Sequence, residues 1–453
     1  MTTLRLHNTL TRGKEDFVPL DAAHVRVYAC GPTVYDRIHV GNARPIVVFD
    51  VLVRLLRRLY PKVTYVRNIT DVDDKIITRA VKRSISIDRL CDDTIECFHE
   101  DVAALGALPP DHEPRATEFI SDMIDMIQTL IGGGYAYAAE GHVLFSVTAM
   151  PAYGALSGRS MEDMIAGARV EVAPYKRDPA DFVLWKPSSP DQPGWENPFS
   201  DTPGRPGWHI ECSAMAKHYL GPTFDIHAGG LDLVFPHHEN EIAQSCCAHD
   251  SDIMAAYWLH NGYVTMGEEK MSKSVGNILA AHEAIAEHRG ETVRAALLAS
   301  HYRAPVALSD DALAEARNVL DRLYRVVGDV AADETAVDAV FLEALADDLN
   351  TPAAMARLHE LAGAANRGDS AAAVALKSSA VILGLLERSG EEWARGDSSD
   401  DGMSDADIDA AIEARKQARA DRDFAAADSI RDDLAAQGIL LEDGPEGTVW
   451  RRS

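Results

Sequence analysis

The sequence predicts an α/β protein: a doubly wound parallel (Rossmann-like) sheet with an inserted subdomain, followed by a helical bundle and a small C-terminal α+β domain. Three patterns predict the sheet. Residues 24–30 alternate apolar and polar positions as a strand does, and residues 62–70 form a second strand pattern. Between them, apolar positions recur at helical spacing after Gly41. Strand, helix and strand in this order form a βαβ unit.

Ligands of such sheets bind at the carboxyl ends of the strands, which directs attention to Cys30 and residues 68–74. The pattern then breaks at a stretch with three consecutive glycines at 132–134 and a long Pro/Gly-rich loop. It resumes with the alternating residues 223–230. We therefore expect an insertion between two halves of one sheet.

The remainder of the chain is helical and ends in a hairpin. Ser309 is a helix cap, Thr351 caps a helix that starts at Pro352, one helix covers 405–437, and a hairpin turns at 444–447. The predicted domains are the sheet at 1–115 and 208–258, the insertion at 116–207, a connecting subdomain at 259–308, the helical bundle at 309–390, an acidic linker at 391–404 and the C-terminal domain at 405–453.

Composition and charge argue against several kinds of binding partner and against a disulfide-stabilised fold. The formal net charge of −27 argues against a general attraction to nucleic acid or to anionic membranes, although a local basic face stays possible. We find neither a signal-peptide pattern nor an apolar run of membrane-spanning length, so we expect a cytoplasmic protein without a membrane partner. The six cysteines are too few and too scattered for a disulfide framework.

The stretch FPHHENEIAQSCC at 235–247 is rich in metal-ligand residue types. His237 and Glu241 lie four residues apart and share one helix face, a spacing that also suits a surface ion pair. Cys30 and Cys212 could add thiolates, but neither belongs to a CxxC pair, so spacing alone does not select them. Packed thiols are the prediction for Cys91, Cys97, Cys246 and Cys247.

Two further stretches carry a family resemblance. HVGN at 39–42 and KMSKS at 270–274 resemble the two signatures of class I aminoacyl-tRNA synthetases. Together with CGPTVYD, RNITDVDDKI, GRPGWHIECSAM and FPHHENEIAQS, they make the chain similar to the cysteinyl-tRNA synthetase family from its first strand to its final Trp-Arg-Arg. The chain departs from the class signature at Asn42, where histidine is most common.

The resemblance implies a cysteine–tRNA ligase, acting as a monomer on L-cysteine, ATP with Mg²⁺, and tRNA-Cys. It implies one Zn²⁺ held by Cys30, Cys212, His237 and Glu241. The resemblance also implies catalytic roles for His39, Asn42, Lys270 and Lys273. It implies ATP contacts from Gly41, Gly229, Gly230 and Asp232, together with His39, Asn42 and Lys273. Cysteine would be contacted by Thr33, Thr70 and Trp208, and the anticodon by Arg419, Asp428 and Asp443.

These residue types suit the chemistry. A helix N-terminus beside His39 and Asn42 favours phosphate, and two lysines add cations for the leaving pyrophosphate. Serine is slightly smaller than cysteine, so a pocket cannot exclude it, whereas zinc binds thiolate far better than a hydroxyl. The alternatives are a paralogue that joins cysteine to an amino sugar in mycothiol synthesis, a non-catalytic zinc-containing RNA-binding protein and a zinc hydrolase.

Overall fold

The computed structural model describes residues 2–160, 173–266, 269–270, 279–395, 403–444 and 447–452. The chain divides into two compact units, of which the first contains residues 1–316, 339–356 and 382–384, and the second contains the rest. Among the described residues, no helix has the length and apolar character that a membrane span requires.

A four-stranded parallel sheet forms the centre of the first unit. Its order is β10 (Ala255–Asn261), β9 (Phe224–Gly230), β3 (Val25–Ala29) and β4 (Val63–Arg67). β3 and β9 are the two central strands. The chain passes from β3 outward to β4 at one edge of the sheet, and from β9 outward to β10 at the other edge. Right-handed connections then place the intervening helices on opposite faces, which makes the sheet doubly wound and confirms the predicted fold class.

Helix α1 (Val40–Leu59) connects β3 to β4 and begins at the cap residue His39. Its buried face contains consecutive apolar residues because it packs on the sheet. Its first turn contains no acidic residue, unlike the helices that start at Asp74 and Ile87. This N-terminus therefore leaves its positive dipole end available to an anion.

The insertion has its own antiparallel sheet, whose strands occur in sequence order: β5 (Ala136–Ala139), β6 (His142–Phe145), β7 (Phe182–Pro187) and β8 (Gly204–Pro206). Its apolar face shares one hydrophobic core with the neighbouring helices, with Phe145 and Trp185 fully buried. The remaining strands are β1 (Arg5–Asn8), β2 (Gly13–Asp16), β11 (Val264–Met266), β12 (Glu269–Lys270), β13 (Val306–Ala307), β14 (Ile439–Gly444) and β15 (Gly447–Arg452).

The helices after α1 are, in chain order, α2 (Asp74–Arg83), α3 (Ile87–Ala104), α4 (Ile120–Gly132), α5 (Trp208–Leu220), α6 (Glu239–His249), α7 (Ala281–His288), α8 (Gly290–Leu297), α9 (Asp310–Val327), α10 (Ala339–Ala346), α11 (Thr351–Ala365), α12 (Ser370–Ala380), α13 (Gly390–Arg395), α14 (Asp405–Ala420) and α15 (Phe424–Ala436).

Two sequence predictions about helices were wrong. The single helix expected over 405–437 is two helices, separated at Arg422, whose φ of 62° is left-handed. Asp423 caps the second helix by accepting a hydrogen bond from the backbone of Ala426. The cap predicted at Thr351 lies one residue earlier, because the side chain of Asn350 accepts from the backbone of Ala353.

Within the second unit, α14, α15 and the β14–β15 hairpin form a small C-terminal domain. Its core consists of Ile408, Leu434, Ile439 and Trp450, all at most 7% exposed. The indole of Trp450 donates to Asp409 at 2.8 Å, which fixes the hairpin against α14. Part of the predicted acidic linker, 396–402, and the hairpin turn at 445–446 lie outside the described residues.

Candidate metal centre and nucleotide edge

The predicted metal ligands converge beside β3 and β9, where the direction of strand succession reverses. Cys30 directly follows β3, and Cys212 lies on the second turn of α5. His237 occupies the single turn before α6, and Glu241 lies in the first turn of that helix. Cys212, His237 and Glu241 are at most 1% exposed, so the cluster is nearly dry.

The donor atoms of these four residues all lie within 4.8 Å of one another. The two sulfurs are 3.9 Å apart, and Sγ of Cys30 is 3.6 Å from Oε1 of Glu241. With Zn–S bonds of ~2.3 Å, a tetrahedral zinc requires its two sulfurs ~3.8 Å apart. The spacing of the two thiols therefore fits zinc without rearrangement.

His237 supplies an independent test of that fit. Its Nε2 atom lies 3.0 Å from Oε1 of Glu241, yet it is buried and makes no hydrogen bond with the described residues. Its Nδ1 atom is 2.8 Å from Nδ1 of His209. Metal-binding histidines typically use one nitrogen for the ion and the other for a hydrogen bond, and His237 matches that arrangement.

A second set of donors overlaps the first, namely Cys30, His227, His238 and Glu241. In this set the histidines already have partners: Nε2 of His227 contacts Oε2 of Glu241 at 3.0 Å, and Nδ1 of His238 contacts His260 at 2.8 Å. Nε2 of His238 also lies 3.4 Å from Sγ of Cys30. The set with Cys212 and His237 offers two thiols instead of one, and the nitrogen that His237 directs at Glu241 makes no hydrogen bond with the described residues, so we favour it as the candidate metal site.

Burial governs the ionisation of the cluster when no ion is bound. It raises the pKa of the Glu241 carboxyl and of the Cys30 thiol well above their ordinary values, and it lowers the pKa of His237 well below its own. All three shifts favour neutral groups. A dication would instead stabilise the thiolates and the carboxylate, so metal binding at this cluster would release protons.

The three residues predicted to contact cysteine lie beside this cluster. The Trp208 ring stacks on His237 with centroids 4.1 Å apart, and it stays 37% exposed. Thr33 and Thr70 pair through an isolated parallel bridge. The hydroxyl of Thr70 donates to Glu211 at 3.1 Å. The exposed fraction of Trp208 does not fit a residue of the hydrophobic core.

Glu239 has a structural role beside the candidate metal cluster. Its carboxylate, 1% exposed, accepts from the backbone N–H groups of Gly154 (2.9 Å), Leu156 (3.4 Å) and Ser157 (2.8 Å). The neighbouring Asn240 accepts from Tyr153. The helix turn that carries the candidate metal ligands therefore also anchors a loop of the insertion. The i, i+4 argument could not reveal this, since the partners are backbone groups some 80 positions away.

We expect Glu239→Gln to loosen that loop. An amide cannot replace a carboxylate that accepts three N–H bonds, and losing one bond to a charged group costs ~1.5–3 kcal/mol. Limited trypsin digestion of the native protein should then cut after Arg159 about tenfold faster. The exposed Glu196 of the same insertion provides the control, since Glu196→Gln should leave the cleavage rate unchanged. Equal rates for both variants would contradict the anchoring role.

The predicted nucleotide residues line the same sheet edge. The backbone N–H of His39 donates to Oδ1 of Asn42 at 3.4 Å, so the two residues close the first turn of α1. Gly229 and Gly230 end β9, and Asp232 follows in a short 3-10 turn. A Cβ at Gly229 would lie 2.9 Å from the His238 ring and from Leu233, so only glycine fits there without displacement.

The KMSKS lysines are only partly covered by the structure. Lys270 pairs with Thr265 in the β11–β12 ladder, which places its backbone. Lys273 lies outside the described residues. In the C-terminal domain, Arg419 donates to Asp443 at 3.1 Å, whereas Asp428 forms an ion pair with Arg431 instead. Arg415 also binds Asp443 through two hydrogen bonds of 2.9 Å, which the sequence did not predict.

Comparison with known proteins identifies the family to which this chain is similar. Residues 16–318 match the family model of the tRNA synthetases class I (C) catalytic domain, and residues 340–387 match the DALR domain. Residues 401–451 match the cysteinyl-tRNA ligase anticodon binding domain. Cysteine–tRNA ligase of Rhodospirillum rubrum is 57% identical over the full length of both chains. The chain belongs to the cysteine–tRNA ligase family. The corresponding ligase of Acidiphilium cryptum is 56% identical, again over both full lengths.

Solved structures show the same fold at low identity. Mycobacterium tuberculosis methionyl-tRNA synthetase in complex with methionyl-adenylate aligns over 80% of this chain and 89% of its own, with a TM-score of 0.59 and 15% identity. An Agrobacterium radiobacter leucyl-tRNA synthetase in a ternary complex aligns over 83% and 85%, with a TM-score of 0.58 and 12% identity. The predicted family resemblance and the class I enzyme fold are thus confirmed.

Proposed function

We propose that this chain activates L-cysteine with ATP to cysteinyl-adenylate and pyrophosphate, and then transfers cysteine to the 3′-terminal adenosine of tRNA-Cys. The observation that carries the proposal is the pair of thiols from Cys30 and Cys212, set 3.9 Å apart at the edge where the sheet binds ligands. Family membership supplies the reaction, and a metal ion held by this cluster would account for the choice of amino acid.

We further propose that Cys30, Cys212, His237 and Glu241 hold one Zn²⁺, which would supply a direct site for the substrate thiolate. Thr33, Thr70 and Trp208 would enclose the amino acid. The Trp208 ring stacks on His237 with centroids 4.1 Å apart, which supports an aromatic wall beside the proposed ligand. Such a wall would exclude water from the amino-acid site and would strengthen the electrostatic contacts within it.

At the nucleotide end, the chain provides hydrogen-bond donors and dipoles rather than a nucleophile. The acid-free first turn of α1 favours the triphosphate, with His39 and Asn42 at its start. Gly41, Gly229 and Gly230 would permit close approach of the nucleotide, and Asp232 would contact the adenosine. Lys270 and Lys273 would neutralise the departing pyrophosphate. Phosphoryl chemistry of this kind depends on positioning and on charge stabilisation.

The C-terminal domain would read the anticodon through Arg419, Asp428 and Asp443. Supporting this, Arg419 and Asp443 form an exposed ion pair, and Phe424 of the same domain is 63% exposed. Exposed aromatic rings provide stacking surfaces for unpaired bases. Because the chain carries a net charge of −27, phosphate contacts must come from local cations, and we expect binding to weaken steeply with salt.

The test is a comparison of acceptors. Cysteine-dependent ATP–pyrophosphate exchange should occur, and cysteine should be transferred to a tRNA-Cys transcript but not to a glucosamine-based acceptor. The match of residues 401–451 to an anticodon-binding model favours tRNA over the amino sugar. Transfer to the sugar together with failure to charge tRNA-Cys would overturn the proposed acceptor, and absence of exchange would overturn the reaction.

A further inference from the structure

Arg44, two residues after Asn42, is buried in an unusual way. Its side chain is 0% exposed, yet among the described residues its guanidinium donates to neutral acceptors: the carbonyl of Tyr263 at 2.7 Å, the hydroxyl of Ser300 at 3.1 Å and the carbonyl of His301 at 3.3 Å. Burial lowers its pKa to about 10. Burying a cation among neutral groups is unfavourable, so the chain sustains this contact at a cost to stability.

The acceptors connect Arg44 to the lysine of the second signature. Tyr263 directly precedes β11, and β11 pairs with β12 so that Thr265 lies opposite Lys270. The chain at Gly262 is tightly fitted, since its N–H donates to the carbonyl of Tyr302 at 2.8 Å. A Cβ at Gly262 would lie 2.6 Å from a carbonyl oxygen of residue 304. The start of β11 therefore has little freedom to shift.

A second connection joins the same helix turn to the residues beyond the signature. His39 and Ala280 form an antiparallel bridge. On its two sides, Val40 donates to the carbonyl of Leu279 at 3.1 Å and Ala281 donates to the carbonyl of Ile38 at 2.9 Å. The N-terminal turn of α1 is thus attached to the chain on both sides of 271–278, through Arg44 before it and through His39 after it.

We propose that Arg44 is a positioning residue for adenylate formation, which fixes the backbone of Lys270 relative to His39 and Asn42. This inference rests on the proposed function, in which these groups bind the triphosphate of ATP. It assigns a specific task to a residue that is fully buried and does not belong to the candidate metal cluster. Displacing a catalytic group by about 1 Å can cost ~10²-fold in rate, so a remote residue of this kind can have a large effect.

Arg294 provides a matched control in the same unit. It is also 0% exposed, but it binds Asp50 and the carbonyls of Leu105 (3.2 Å) and Leu383 (2.7 Å). None of these contacts reaches the two signatures. Arg294→Lys should therefore weaken packing as Arg44→Lys does, without altering the geometry at the nucleotide.

The experiment measures both half-reactions on the full chain. For R44K, cysteine-dependent exchange should show a kcat at least ~10-fold lower and a raised KM for ATP. Its KM for cysteine, its metal content and its single-turnover transfer from cysteinyl-adenylate to tRNA should stay within about twofold of wild type, because these depend on other groups. S300A, which removes only one of the three acceptors of Arg44, should show the same pattern with smaller changes in kcat and in the KM for ATP.

R294K should lower the melting temperature but should not selectively reduce the kcat of exchange or raise the KM for ATP. Three results would each overturn the role of Arg44. They are exchange kinetics of R44K within twofold of wild type, equal changes in the KM for ATP and for cysteine, and the same selective loss of adenylate formation in R294K. An active wild type with an unchanged R44K would reject this inference alone. A wild type without cysteine-dependent exchange would reject the proposed function as well.

Discussion

His237→Ala should abolish metal binding and reduce cysteine-dependent pyrophosphate exchange by at least ~10²-fold. Nε2 of His237 lies 3.0 Å from Oε1 of Glu241 and has no hydrogen bond to the described residues, which leaves it available to an ion. Removing it leaves Cys30, Cys212 and Glu241, of which the two thiols repel each other once ionised. Loss of a residue that only hydrogen-bonds to a metal ligand typically lowers metal affinity 10–100-fold, and loss of a direct ligand lowers it further.

Two neighbouring histidines serve as controls. His249→Ala, at the far end of α6, should retain one metal ion and wild-type exchange. His238→Ala distinguishes the two donor sets, because His238 belongs only to the set that lacks Cys212. Metal content by atomic spectroscopy is the measurement. A zinc-replete H237A protein together with a metal-free H238A protein would show that the ion occupies the other set.

Asp50→Ala should lower the free energy of unfolding of the first unit by about 3–5 kcal/mol. Asp50 is 3% exposed and accepts from Arg54 at 2.8 Å, from the backbone of Leu108 at 2.9 Å and from Arg294. Removing this carboxylate takes an anionic partner from the fully buried Arg294. Such a loss is large because a buried charge that loses its counter-charge is not compensated by water.

The surface pair Arg89–Asp93 provides the comparison. It has the same i, i+4 spacing as Asp50–Arg54, but its side chains are 70% and 44% exposed. Asp93→Ala should therefore change stability by less than ~0.5 kcal/mol. Urea titration of both variants, followed by tryptophan fluorescence, checks the contrast. Two equal and small losses would contradict the importance of the buried network.

Local patterns predicted the sheet and the placement of the candidate ligands well, for a physical reason. The βαβ unit is encoded by periodicity within about 50 residues, and parallel strands necessarily bring their carboxyl ends to one edge. Cys30 could therefore be assigned to the ligand edge from the strand pattern alone. The i, i+4 spacing of His237 and Glu241 likewise holds in the fold, where both donors lie in one cluster.

Contacts between distant segments could not be predicted in this way. Glu239 binds backbone N–H groups of the insertion, and Arg44 binds carbonyls more than 200 positions away, so neither partner has a sequence signature. The broken helix at Arg422 was missed because apolar spacing continues across the break. The choice between Cys212 and the other cysteines came from family resemblance, since its spacing is uninformative.

Zinc K-edge absorption spectroscopy of the purified chain, with and without cysteine, tests the central proposal most directly. We expect one zinc per chain with two sulfur neighbours at ~2.3 Å, from Cys30 and Cys212, together with lighter atoms from His237 and Glu241. Addition of cysteine should raise the sulfur count from two to three, whereas serine should leave it at two. A sulfur shell that does not change with cysteine, or a chain that binds no zinc, would contradict thiolate recognition at this site.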